Sequence, residues 1–198
     1  MFGIYESDVM IAKFAAPLTL NSNVPIIVSD TLSLKRTVYK SSAQRWELTA
    51  EVMPLTFGAE DLFTMLVTKG STETFKISVP QNYGVILRTR SNGGVPTASG
   101  TLGTSTLSVD GNTGNLIPKG TMIKLAGHDK IYMTTSELNE DDDITIFPKL
   151  RATITSQILY FKEDVFMNAY LDTDSVKGMI YSDGIMMTPG QLKFVEKL

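Results

Sequence analysis

Residues 116–151, LIPKGTMIKLAGHDKIYMTTSELNEDDDITIFPKLR, constrain the fold of this chain more than any other stretch. Met122, Lys124 and Ala126 alternate with Ile123 and Leu125, the period of two that a strand with two distinct faces requires. Gly127-His128-Asp129-Lys130 interrupts that pattern as a turn, and Ile131 to Thr135 form a second β-rich run. Glu137 to Asp143 make an acidic turn, and Ile144 to Phe147 a third strand that Pro148 stops. Three short strands on polar turns define a small antiparallel unit, and none of its side chains is arranged for chemistry.

The same grammar runs through the rest of the chain. Residues 1–25 contain breakers at Ala16-Pro17 and between Asn21 and Pro25, which suggests an arm or a single edge strand. Strand content then runs from Pro25 through Leu32 to Tyr39, and Ser41 to Gln44 form a turn. The next segment alternates clearly. Trp46, Leu48, Ala50 and Val52 share one face, Arg45, Glu47, Thr49 and Glu51 the other, and Pro54 ends it.

Glu60 to Lys69 is the best helix. Leu62, Phe63 and Leu66 make its apolar face, with Met65 at the margin. Glu60 and Asp61 in the first turn and Lys69 in the last suit the helix dipole, and Gly70 supplies the stop. Thr74 to Val79 and Val85 to Arg90 read as strands. Residues 91–120, rich in Gly, Ser, Thr, Asn and Pro, read as short strands and loops of an inserted β-module. Ile154–Phe161, Phe166–Leu171, Val176–Tyr181 and Gln191–Glu196 complete the set. The expected fold is therefore mainly β, with about a dozen strands and one packed helix of average length.

Composition narrows the function. The chain has 198 residues, a net charge of −3 and no cysteine. With a pI near 5.2 it lacks the dense basic surface that gripping a nucleic-acid backbone needs. Without cysteine, disulfides, thiolate metal sites and cysteine nucleophiles are excluded. No secretory leader is read at the N-terminus, and no apolar run reaches the roughly 18–20 residues that span a bilayer.

Candidate chemical groups are few. His128, the single histidine, sits in a turn without local partners and reads as a surface residue. Glu137, Glu140, Asp141, Asp142 and Asp143 lack the spacing of a calcium loop and read as a solvated hairpin tip that a neighbouring subunit could contact. Gly93-Gly94 and the glycines between Gly111 and Gly120 have neither the Gly-Lys-Ser/Thr ending nor the following helix of a phosphate loop. Trp46 and the methionines Met179, Met186 and Met187 read as packing residues. No catalytic, cofactor-binding or metal-binding residue is assigned, and the chain reads as a non-enzyme.

The order of these features resembles a family. A Trp strand (RWELTAEVMPL) leads to a short helix that runs into a strand (EDLFTMLVTKGSTETFKISVP). A Gly/Thr-rich insert then ends in LIPKGTMIKLAGHDKIYMTT and ITIFPKLR, before a terminal GQLKFVEKL. From about Arg45 onward this is similar to the distal tail and baseplate proteins of tailed bacteriophages, relatives of the tail-tube fold. The most specific part pairs Ala126-Gly127-His128-Asp129-Lys130-Ile131-Tyr132 with Ile146-Phe147-Pro148-Lys149-Leu150-Arg151.

The resemblance implies a split β-barrel or sandwich over 1–84 and 152–198, with the helix at about 59–69, and a small β-barrel module inserted at 85–151. It implies a hexameric ring in the virion, assembled in the host cytoplasm, that joins the tail tube to the hub and lines the channel through which DNA passes. Expected partners are further copies of itself, the tail tube protein, the hub and other tail-tip proteins, and the tape measure protein, with no membrane. Unlike larger members, the sequence has no long C-terminal carbohydrate-binding domain, which argues against direct receptor binding. Two rival readings remain: a carbohydrate-binding adhesin that uses the insert, and a cell-wall hydrolase, which lacks a catalytic pattern.

Overall fold

The computed structural model describes residues 2–30, 36–40, 43–55, 59–91, 93–162, 165–172, 180–182, 185–188 and 190–198. Its main strands close into two six-stranded antiparallel barrels. The first is built from β1 (Gly3–Glu6), β2 (Val9–Asn23), β5 (Arg45–Pro54), β6 (Thr74–Ser78), β15 (Phe166–Leu171) and β18 (Gly190–Glu196). They lie in the order β1-β2-β5-β18-β15-β6, and β6 pairs back to β1. Two parts of the chain, far apart in sequence, therefore make one barrel. The mainly-β class and the barrel read from the sequence are what the structure contains.

Alternation decides what β5 buries. Trp46, Leu48, Ala50 and Val52 are all buried, and Trp46, Leu48 and Val52 share one core with Ile4, Phe75, Ile77, Met167, Leu192 and Phe194. The Phe194 ring stands 5.8 Å from Phe75 and 6.1 Å from Phe14. Each such side chain removed from water is worth about 1.5–3 kcal/mol, so this cluster dominates the stability of the barrel. Helix α1 (Ala59–Lys69) adds Leu62, Met65 and Leu66 to the same core, lying nearest β2 and the strand that precedes β18. Here the sequence reading of the margin is corrected. Met65 is buried and Phe63 only partly so: the helix turns the side of its apolar face that carries Met65 into the core and leaves Phe63 at the margin.

Three further expectations are overturned. The N-terminal residues are not an arm or an edge strand but two full barrel strands, β1 and β2. The register of β2 on β5 slips between Ala15 and Thr19, and that irregularity accommodates Pro17. Val85 to Arg90 is not a strand. Residues Tyr83–Arg88 form a second short helix, α2, because Asn82 caps it by accepting the Gly84 N–H at 2.8 Å. Pro25 to Tyr39 is not one run but a hairpin, β3 (Ile26–Asp30) on β4 (Arg36–Lys40).

The second barrel comprises β8 (Thr97–Gly100), β9 (Thr106–Asp110), β11 (Met122–Leu125), β12 (Ile131–Thr134), β13 (Asp143–Phe147) and β14 (Ile154–Phe161). Its strands extend past the expected limit of the insert at Arg151, since β14 pairs with β8 and β11. Ile117, Ile123, Leu125, Tyr132, Ile144 and Leu159 fill it. Gly100 permits the close packing: a Cβ there would lie 2.8 Å from the Leu107 side chain. A short pairing of β7 (Arg90–Ser91) with β10 (Asn115–Leu116) flanks this unit. A last hairpin joins β16 (Ile180–Ser182) to β17 (Ile185–Thr188). The expected strand at Val176–Tyr181 falls mostly on residues outside those described.

Candidate functional site

Two features stand out. The first is the β3–β4 hairpin. It leaves the first barrel where β2 ends, at Asn23, and returns where β5 begins, at Arg45. Cross-strand partners share a face, so Ile27 and Tyr39 lie on one side and Val28 and Val38 on the other. Ile27 and Tyr39 are each 66% exposed, Val38 54% and Val28 42%. Both faces of a two-stranded ribbon thus present apolar side chains to water, an arrangement marginal in isolation and typical of a surface that a partner covers. The sequence signalled strands here, but alternation could not show that neither face would be buried.

The second feature is the junction between barrels. Glu196, near the end of β18, is buried, and its carboxylate gathers three donors. Oε2 accepts the Trp46 N–H at 2.9 Å and Oε1 the Ile131 N–H at 2.7 Å, while the Lys130 ammonium pairs with Oε2. Trp46 returns a bond from its indole Nε1 to the Ile131 carbonyl at 2.9 Å, and its ring meets Phe147 edge-on. Burial pushes the Lys130 amine down to about 8, against the pull of the Glu196 carboxylate.

More bonds cross the same seam. The Gln81 amide pairs reciprocally with the backbone of Met122, at 2.8 and 2.9 Å. Lys124 Nζ donates to the Phe166 carbonyl at 2.9 Å. Asp129 accepts from Asn168 at 2.7 Å and pairs with Lys197 at 3.2 Å. Arg151 Nη2 donates to the Gln44 carbonyl at 3.0 Å, and on its own side of the seam the Arg151 N–H donates to the buried Tyr132 hydroxyl at 3.3 Å. Lys130, Ile131 and Arg151 belong to the segments Ala126–Tyr132 and Ile146–Arg151 singled out in the sequence, so those segments lie at the inter-barrel contact. The turn around Lys130 was legible; its counter-ion, 66 residues away, was not.

Other residues singled out in the sequence fall as follows. Gly127 takes a φ of +74°, and His128 is half-buried in the turn beside it, its N–H bonded to the Leu125 carbonyl at 3.2 Å. Glu137, Glu140, Asp141 and Asp142 are exposed between β12 and β13, and Asp143, also exposed, opens β13; Asp141 accepts the Asn112 N–H at 2.6 Å. Among the described residues, no three His, Cys, Asp or Glu groups come together as a metal site would require. Among them, too, no helix is long and apolar enough to cross a membrane. Trp46 is a core residue at the junction. Met179 lies outside the described residues.

A cleft of about 700 Å³ opens on the second barrel, lined by hydroxyls including Ser99, Thr101, Thr106 and Thr155, with Asp143 and Lys149 among them. Comparison with protein-family models and with curated proteins finds no match for this chain.

Proposed function

We propose that the protein is a structural ring subunit at the distal end of a phage tail, joining the tail tube to the hub around the DNA channel. The observation that carries this reading is the β3–β4 hairpin, with apolar side chains open on both faces. In a closed assembly a neighbouring subunit covers such a ribbon; in a free monomer it is an aggregation hazard. Two further features support it. The barrels are clamped by buried polar contacts, which suits a part that transmits position rather than one that opens. The two hairpins also leave opposite ends of β5, since β3–β4 adjoins Arg45 and β17 leads into Gly190, the partner of Val52. The net charge of −3 suits a channel that DNA passes without sticking.

Sedimentation and electron microscopy of the purified protein, alone and with tube and hub partners, test the proposal. Closed rings, expected to be sixfold, support it. Monomers in every mixture, or isolated copies outside the channel of the assembled particle, refute it. The carbohydrate-binding alternative draws on the hydroxyl-lined cleft of the second barrel, and it predicts glycan binding that Asp143→Ala and Thr106→Ala weaken.

A further inference from the structure

The hairpin and the junction meet at one place. Residues 44–46 form the root from which β5 begins and to which the β3–β4 arm returns, and three segments of the second barrel hold them. Arg151 bonds the Gln44 carbonyl at 3.0 Å. Glu196 bonds the Trp46 N–H on one side and Lys130 and Ile131 on the other. The Trp46 indole bonds the Ile131 carbonyl and packs on Phe147.

The outgoing stem of the arm is tied to the same root. Gln44 Nε2 donates to Ser22 Oγ at 3.1 Å, and Asn23 Nδ2 to Glu47 Oε1 at 2.7 Å. Beyond the stem, Ile26, Ile27, Val28, Val38 and Tyr39 are exposed, and none of them belongs to the core of either barrel. A two-stranded ribbon without such support takes its direction from its root.

We infer that the second barrel sets the direction of the β3–β4 arm, with Arg151 as the positioning residue that ties it to the root at Gln44. The inference rests on the assembly reading for its purpose, but its geometry is independent of it. Arg151 is the most direct handle: its guanidinium contacts the root, it sits outside both hydrophobic clusters, and its side chain is half-exposed. A subunit whose second barrel is seated would present the arm in one direction; one whose root contact is cut would present it in many, and neighbours would capture it less often.

The chain has no cysteine, so labels can be placed at will. Spin labels at Thr37→Cys on the arm and Thr155→Cys on the second barrel report the distance between them by pulsed electron resonance. In the otherwise native chain a single narrow distribution is expected. Arg151→Met should replace it with a broad or shifted one while the thermal midpoint stays put, and should reduce ring formation. Arg151→Gln serves as the second variant if the first does not fold.

An unchanged, narrow distribution in a folded Arg151 variant overturns the inference, as does a distribution that is already broad in the native chain. The two proposals fail separately. If Ile27→Ser with Tyr39→Ser leaves assembly intact, the assembly reading falls while the label distances still decide the positioning role. If that pair abolishes assembly and Arg151→Met leaves the distances unchanged, only the positioning role falls.

Discussion

Glu196→Gln tests the barrel junction most directly. The change keeps the shape of the side chain but removes the charge that faces Lys130, and it sets an amide donor among the Trp46 and Ile131 N–H groups. Lys130 is almost fully buried, and burial already holds its amine at about 8 even with the carboxylate beside it. Without that carboxylate the folded state keeps the amine neutral. Stripping a proton from a lysine of ordinary affinity, near 10.4, at pH 7 costs about 4–5 kcal/mol, of which the native chain, its amine already at about 8, bears about 3, so the proton alone accounts for a loss of about 1–2 kcal/mol. Disturbing the hydrogen bonds from the Trp46 and Ile131 N–H groups adds to it, towards the roughly 3–5 kcal/mol lost when one partner of a buried pair is removed. Against a total stability of about 5–15 kcal/mol this is large but survivable.

Equilibrium urea unfolding gives the number, and a cycle with Lys130→Met gives the coupling. The double variant should recover about half or more of the single loss, because no uncompensated charge remains. The sign with pH follows. In Glu196→Gln the folded chain lacks a lysine proton that the native fold holds below about 8, so the loss relative to the native chain should shrink as pH rises from 7 through about 8 and stay constant above it, where both folds are deprotonated. Strictly additive single losses, or a Glu196→Gln loss that does not vary with pH, would refute the account of the junction.

Other outcomes can be checked alongside. Ile27→Ser with Tyr39→Ser should leave monomer stability within about 1 kcal/mol but weaken association by about 2–4 kcal/mol, roughly thirtyfold to a thousandfold, read by sedimentation. Leu66→Ala empties part of the core under α1 and should cost about 2–5 kcal/mol in thermal unfolding; a wild-type midpoint would mean that the helix is not packed there. Burial raises the Glu47 and Asp129 carboxyls, but hydrogen bonds and cations outweigh it. Asn23, Lys193 and Arg45 act on Glu47, and Asn168, Lys197 and Lys124 on Asp129, so both are held below the usual range. Their stabilising effect is full above the ordinary carboxylate range and is lost as pH falls below about 4, which Asn23→Ala and Asn168→Ala should soften. Gly127→Val should cost about 1–3 kcal/mol through backbone strain alone, since nothing lies within 4 Å of the added Cβ, while His128→Ala should be nearly silent in the same melt.

Much of this fold is legible one strand at a time. Trp46, Leu48, Ala50 and Val52 announce both a strand and its buried face, and Glu60 to Gly70 announce a helix with both its ends. Legibility fails where the decision is not local. Val85-Ile86-Leu87 has strand composition, and the Asn82 cap tips it into a helix; that cap was visible in the sequence but outweighed by the apolar run. Pro17 suggested a break, yet a slipped register lets a central barrel strand absorb it. The partner of Lys130 and the partner of Arg151 lie 66 and 107 residues away, and no spacing rule reaches that far.

The position of β18 has a consequence for how the protein is made. A ribosome releases Thr97 to Phe161, the whole second barrel, as one uninterrupted stretch, so that unit can complete itself during synthesis. The first barrel cannot. Its seam between β5 and β15 stays open until β18 emerges, and in the meantime the apolar interiors of β5 and β6 have no sixth strand to shield them. For that interval the first barrel keeps an open apolar seam between β5 and β15, the kind of edge through which chains aggregate. A ribosome that stalls before Gln191 leaves a product whose sheet edge stays exposed, an aggregation hazard.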